Sequence, residues 1–381
     1  MSLCVRNFMK FFQQLLVAPA ALGLLAPLSV SASEINLDAI SKYSEDNLEI
    51  DGSLFKQNTP NKTLLSGGEG LVDSGDFTGG FSETTTASFG VDFLVGAVDG
   101  ATSEKTEFAY GMGIGLETSF TGEDSLSATI DIGNAVATSA LSGTSGMNFD
   151  ATTDALKLDG LTYTFPLGGA SVMVGSDTDV SAVYTGACAY NAFTDYMGNC
   201  GTGNSVGLGG KGVTAAMSYA FDGGFSLAGG ITSTETGIAT KVEDDAFGLE
   251  AAYTADSYAI AVAYSDIENS TSGDATFWGV NGMYAFDFAT LSAGVESEDP
   301  VSGSTKTGFF VGLSFPEVGA GTFDIGLATS ANYASSETEY YTYEASYSYP
   351  INDGMTITPG IFIQEGTTDK TGFAVKTSFS F

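Results

Sequence analysis

Histidine is absent from these 381 residues, and arginine occurs once, at Arg6. General-base triads and the usual His-containing zinc sites therefore lose their commonest member. Only three Cys remain as soft ligands. Positive charge is scarce throughout: 12 Lys+Arg stand against 46 Asp+Glu, for a net charge of -34. Such a chain repels phosphates rather than neutralising them, which argues against nucleic acid as a partner. Long apolar runs are missing too. After residue 33 no segment supplies the ~18 or more apolar residues of a membrane helix.

What is plentiful is Gly (50), Phe (27) and Tyr (17). High acidity with few aromatics would suggest disorder, but an aromatic content of 12% does not fit that class. The residues alternate instead. In 81–98, Phe89, Val91, Phe93 and Val95 oppose Ser88, Gly90, Asp92 and Leu94; in 106–120, Phe108, Tyr110, Met112, Ile114 and Leu116 oppose Gly111, Gly113, Gly115 and Glu117. A period of two marks strands with one apolar face and one small, polar face. Gly111-x-Gly113-x-Gly115 superficially matches a nucleotide loop, but no helix pattern follows, so no cofactor is expected.

Sixteen such segments run from 81–98 to 370–381. Links after even-numbered strands are short (TGED, GG, DGG, AD, D, EVGA, NDG), while those after odd-numbered strands are mostly longer, notably 134–157, 177–211, 235–245 and 267–275. That alternation predicts an all-β, transmembrane antiparallel barrel of about sixteen strands, with turns on one rim and surface loops on the other. A soluble sandwich does not predict it. Propellers and solenoids would show a repeated motif, and none is found.

Residues 1–32 read as a signal peptide: Arg6 and Lys10, an apolar stretch at 15–30 broken by Pro19 and Pro27, then Val30-Ser31-Ala32 for cleavage. A single membrane anchor is the rival. A short periplasmic segment follows at 33–80, with a helix expected near 36–43. The barrel is assigned to 81–381.

With the aromatic and aliphatic face turned to lipid, the complementary face carries Asp92, Glu117, Asp131, Glu250, Glu296, Asp324 and Glu344, opposed most clearly by Lys376. Unpaired carboxylates in a dry core cost several kcal/mol each, so water is expected to reach them as pore-lining groups. Sixteen strands make a barrel too wide for its own side chains to fill. Lys376 is expected near Asp92, because the last strand must pair with the first.

The link 177–211 contains Cys188 and Cys200, expected to pair after export and to constrain the loop by roughly 3 kcal/mol. Two free thiols are the alternative. Tyr184, Tyr190, Phe193 and Tyr196 either line a path for sugar rings or pack the loop against the wall. The acidic runs Glu243-Asp244-Asp245 and Glu296-Ser297-Glu298-Asp299 either bind calcium between loops or form a solvated face. An outer-membrane hydrolase with a Ser nucleophile is a third reading, disfavoured by the missing His, and no enzyme activity is expected.

Three segments, FSETTTASFGVDFLVGAVDG (81–100), TSFTGEDSLSATIDIGN (118–134) and LDGLTYTFPLGGASVMVG (158–175), are similar to segments of the cyanobacterial outer-membrane porins, distant members of the carbohydrate-selective OprB-type family. The chain resembles a form without the surface-layer-homology domain that relatives often carry. Its last strand, with Phe379 and the terminal Phe381, resembles the C-terminal signal read by the outer-membrane assembly machinery. The resemblance implies a homotrimer in outer-membrane lipid and a passive pore for small solutes or inorganic ions. It also implies that the 177–211 loop turns inward as a constriction. The inward acids favour cations; a carbohydrate-selective channel and a non-conducting surface barrel are the alternatives.

Overall fold

A computed structural model describes residues 85–381 apart from 102–103, 137–138, 142–146, 148, 209–211, 239–243 and 269–272. The signal peptide, the helix expected near 36–43 and Cys4 lie outside the described residues.

Among the described residues the strands are β1 (Thr85–Asp99), β2 (Thr106–Thr118), β3 (Ser125–Gly133), β4 (Lys157–Leu167), β5 (Ala170–Thr178), β6 (Gly212–Ala220), β7 (Phe225–Ser233), β8 (Asp245–Thr254), β9 (Tyr258–Glu268), β10 (Ala275–Ala285), β11 (Thr290–Pro300), β12 (Lys306–Val318), β13 (Gly321–Thr329), β14 (Tyr333–Ala334), β15 (Tyr341–Asn352), β16 (Met355–Gln364) and β17 (Lys370–Ser380). All belong to one antiparallel sheet. The two-residue β14 pairs only with the start of β12, and the other sixteen form the wall. β1 pairs with both β2 and β17, which closes the barrel. No free sheet edge then remains to be satisfied, the condition for a sheet in lipid. Among the described residues no helix is long and apolar enough to cross a membrane.

The links obey the alternation read in the sequence. Residues 168–169, 255–257, 319–320 and 353–354 are short turns on one rim, whereas 134–156, 179–211 and 330–340 connect strands on the other. At the two-residue turn Gly168 and Gly169 both have positive φ, 60° and 89°. Tight hairpins demand this, and a side chain there would be strained.

The two faces separate clearly along β8 and β9. On β8, Phe247 and Leu249 are exposed, while Ala246, Gly248 and Glu250 between and beside them are buried. Trp278, Val280, Ile325, Ile361 and Ile363 continue the exposed apolar exterior. In water so large a patch would drive aggregation; against lipid it is the stable arrangement. Aromatic pairs fall into two bands. Tyr219–Phe221, Tyr284–Phe286, Phe315–Phe323 and Tyr347–Tyr349 ring the short-turn rim, and Tyr264–Trp278 and Phe309–Tyr341 lie towards the loops. Amphipathic rings at both edges of an apolar band are the girdles of a membrane barrel.

At the seam, Phe381 N–H donates to Phe89 O at 3.0 Å and Phe89 N–H to Phe381 O at 2.8 Å. Their rings stack 5.5 Å apart, and Phe379 meets Phe93 edge-on at 6.0 Å.

Candidate functional site: an inner loop and an acidic cavity

The connection between β5 and β6 does not stay at the rim. Residues 180–208 lie along the inner faces of β6 to β16, with short helical turns at Val180–Val183, Asp195–Gly201 and Gly203–Gly207. Cys188 and Cys200 are joined by a disulfide with Cα atoms 5.7 Å apart.

Two features of the wall receive this loop. One is a set of inward glycines. A Cβ on Gly326 would sit 2.6 Å from Met197 Sδ and 2.7 Å from Tyr190 Oη, and one on Gly360 would sit 2.5 to 2.6 Å from the Phe193 ring. Gly248, Gly279, Gly294 and Gly312 make the same room on β8, β10, β11 and β12. The other feature is a series of wall carboxylates that accept from the loop. Glu250 Oε1 accepts from the N–H groups of Thr185 at 2.6 Å and Gly186 at 3.2 Å. Glu296 accepts from Ser205 N–H at 2.7 Å, Asn204 Nδ2 at 2.8 Å and Asn332 Nδ2 at 2.9 Å. Glu344 accepts from Phe193 N–H at 2.7 Å, Thr194 N–H at 2.9 Å, Thr194 Oγ1 at 2.6 Å and Tyr190 Oη at 3.1 Å.

These contacts change the reading of four residues. Glu250, Glu296, Asp324 and Glu344 do point inward, but each is no more than 3% exposed. The expectation that lumen water reaches them is therefore corrected: the inner loop covers them, and for three of the four its N–H groups replace the water. A loop that has left regular structure carries unpaired N–H groups, and an ionised carboxylate is their strongest acceptor. Sequence reasoning also passed over Asn281, which accepts from Ala187 N–H at 3.1 Å and donates to Thr202 Oγ1 at 2.9 Å. An Asn in the middle of a strand was the available signal, since strands are depleted in it.

The loop's aromatic residues resolve in favour of packing. Tyr190 and Phe193 are buried, with Tyr190 5.0 Å from the Phe310 ring. Burial, and then the neighbouring Glu344 charge, push the Tyr190 hydroxyl far above the ordinary phenol range. It is therefore a permanent donor.

Asp92, Asp131 and Lys376 do come together. They line a cavity of about 320 Å³ against the inner faces of β1, β2, β3 and β17. Asp150, from the β3–β4 connection, and Asp195, from the inner loop, complete it, giving four carboxylates and one ammonium. Register places Lys376 opposite Leu94 and Asp92 opposite Ser378, so the two charges are diagonal neighbours on the closing strand pair. The β3–β4 connection was expected at the surface. Instead Leu141 and Met147 are buried with Leu94, Phe193 and Phe362 inside the wall. Gly111 and Gly113 make the space on β2: a Cβ there would lie 2.9 Å from Asp150 Oδ2 and 3.3 Å from Asp131 Oδ1. Glu117 is not part of this group. It is exposed near the short-turn rim, where Ser125 Oγ donates to it at 2.8 Å.

Of the two acidic runs, Glu243 lies outside the described residues, and Asp245 bonds Ser233 Oγ. In the other run, Glu298 pairs with Lys306 at 3.0 Å. Among the described residues no group of three or more acidic, His or Cys side chains converges as a metal site.

A closed sixteen-strand barrel, with turns on one rim, loops on the other and one loop laid along the inner wall, has the porin architecture. No family model matches the chain, and no curated protein matches its sequence. Solved structures do match. OprB of Pseudomonas putida, at high pH, is similar over 78% of this chain and 94% of its own, with TM-score 0.60 and 11% identity. A loop-deletion mutant of OmpT, an outer membrane protein of Vibrio cholerae, matches with TM-score 0.56 and 10% identity over 78% of this chain and 100% of its own. A variant of the Rh. blastica porin matches with TM-score 0.52 and 16% identity over the same shares. At these identities the likeness is one of fold: this chain has the fold of outer-membrane porins.

Proposed function

We propose that the chain is an outer-membrane porin, a passive water-filled pore for small solutes and inorganic ions that prefers cations. The acidic cavity carries this reading. Four carboxylates facing one ammonium inside the barrel set a negative potential that concentrates cations and repels anions. The inner loop and the β3–β4 connection narrow the lumen there and set the size limit. Diffusion down a gradient needs no catalytic step. The apolar exterior and its two aromatic bands support an outer-membrane setting, reached through the signal peptide 1–32 and the C-terminal Phe379 and Phe381.

Membership of the OprB-type porins of cyanobacteria belongs to the same proposal, as does a homotrimer. The supporting features are the segments 81–100, 118–134 and 158–175. Carbohydrate selectivity is the weaker reading, because Tyr190 and Phe193 are spent on packing and offer no stacking face to a sugar. A planar-bilayer recording under a salt gradient is the test. Cation-directed reversal is expected; anion preference or a lack of conductance would overturn the reading.

A further inference from the structure

Asp324 differs from the other three covered acids. It is 0% exposed, neither carboxylate oxygen has a close hydrogen-bond partner, and only the Ser314 hydroxyl approaches it as a weak donor. Glu344, beside it on the next wall strand, has four donors from the loop. Glu250 and Glu296 are likewise bonded by loop N–H groups. Asp324 lies opposite Ser314 of β12 on one side and Ser346 of β15 on the other. Directly opposed side chains on adjacent strands are close neighbours, with Cβ atoms about 5 Å apart. Ser346 is itself buried. Above them, a Cβ on Gly326, two residues along the same face, would touch Tyr190 and Met197.

An isolated buried carboxylate costs several kcal/mol and is normally neutralised by a partner. Among the described residues no lysine pairs with it. The nearest along the adjoining strand, Lys306, is eight residues from Ser314, about 26 Å of extended chain, and it pairs with Glu298. Protonation would remove the charge and let one oxygen donate to a serine hydroxyl, and it predicts no response to sodium. The residues opposed to it on both neighbouring strands are serines, whose hydroxyl oxygens are hard donors suited to alkali and alkaline-earth ions. A divalent cage draws on several carboxylates, and no such convergence exists among the described residues. An ionised Asp324 leaves one charge to balance.

We propose that Asp324 binds a single monovalent cation of the sodium class, held by its carboxylate and the Ser314 and Ser346 hydroxyls beneath the inner loop. The ion ties β12, β13 and β15 together under Tyr190. It is a fixed ion, separate from the acidic cavity on β1, β2, β3 and β17.

The test is thermal unfolding of the purified, detergent-solubilised chain, titrated with sodium chloride against choline chloride at equal ionic strength. Both salts screen the acidic barrel alike, but choline is too large for the site. A saturable rise of a few degrees in the unfolding midpoint with sodium alone is expected, lost in Asp324→Asn and retained in Asp92→Asn. Equal midpoints in the two salts would overturn the proposal, as would a sodium increment that survives Asp324→Asn. Should Asp324→Asn fail to fold, the double variant Ser314→Ala, Ser346→Ala carries the comparison. Unfolding is read without any conductance, so the outcome is independent of whether the pore conducts.

Discussion

Glu344 on β15 and Thr194 in the inner loop are joined twice: Glu344 Oε2 accepts the Thr194 backbone N–H at 2.9 Å and its hydroxyl at 2.6 Å. They are 150 residues apart in the chain. The contact assigns the wall acids beneath the loop to architecture, not to the ion path.

Removing this anchor should release the loop while leaving the wall closed. Glu344→Ala strands the N–H groups of Phe193 and Thr194 and is expected to cost about 3 kcal/mol, with noisier single-channel currents. Glu344→Gln keeps one acceptor and should lose less. An unfolding midpoint for Glu344→Ala equal to that of the parent chain would show that the loop is held some other way.

The charges of the acidic cavity should govern selectivity. Lys376→Glu removes the one ammonium among the residues lining it and should move the reversal potential further towards cations. Asp150→Asn with Asp195→Asn should move it back. An unchanged potential in both variants would place the ion path elsewhere.

The disulfide constrains the segment that carries Tyr190, Phe193, Thr194 and Met197. Replacing both Cys188 and Cys200 with Ser should lower stability by roughly 3 kcal/mol through the freed loop entropy. Limited proteolysis should then cut between residues 185 and 205 sooner, with the barrel strands still protected. Unaltered cleavage would mean that the carboxylate anchors suffice.

Asp124 gives a pH dependence with a definite sign. In the turn between β2 and β3 it accepts from Tyr163 Oη at 2.7 Å, Thr121 N–H at 2.8 Å, and Ser119 Oγ, Phe120 N–H and Thr121 Oγ1 at 2.9 Å each. The Tyr163 hydroxyl bond, followed by the Thr121 N–H, holds its carboxyl well below the usual Asp range. A depressed folded value stabilises the chain above the unfolded value of about 3.9, and that contribution fades as pH falls towards the folded one. The midpoint gap between parent and Asp124→Asn should thus be constant from pH 7 to about pH 5 and shrink below about pH 4. A gap that widens on acidification would reverse the assignment.

Glycine at the loop seat is a packing requirement. Gly360→Val should displace the Phe193 ring, which leaves only 2.5 to 2.6 Å for a Cβ. The same change at Gly90, where the Cβ would have 4.0 Å to Phe379 O, should be tolerated far better. Comparable unfolding of the two variants would contradict the seat.

Much of this barrel is legible along the chain. The alternation of Phe89 and Phe93 against Gly90 and Asp92, and the contrast between the turn at 168–169 and the link 179–211, depend on neighbours two residues apart and on how far a link must reach. Local chemistry and strand geometry suffice for both. Hence the sixteen wall strands, their faces and the pairing of β17 with β1 follow from the sequence itself. The short link TGED is the Asp124 turn.

What the sequence alone left open is which inward acids meet water. Asp92 and Glu344 occupy the same kind of strand position, each inward-facing on an alternating strand. Only the path of residues 180–208 separates them, covering Glu344 and leaving Asp92 on the cavity. That path is decided by carboxylates that meet unpaired N–H groups 64 to 151 residues away, and by glycines that make room for the loop. Periodicity reports the face a side chain points to; what lies against that face is a long-range matter, and tertiary structure alone decides it.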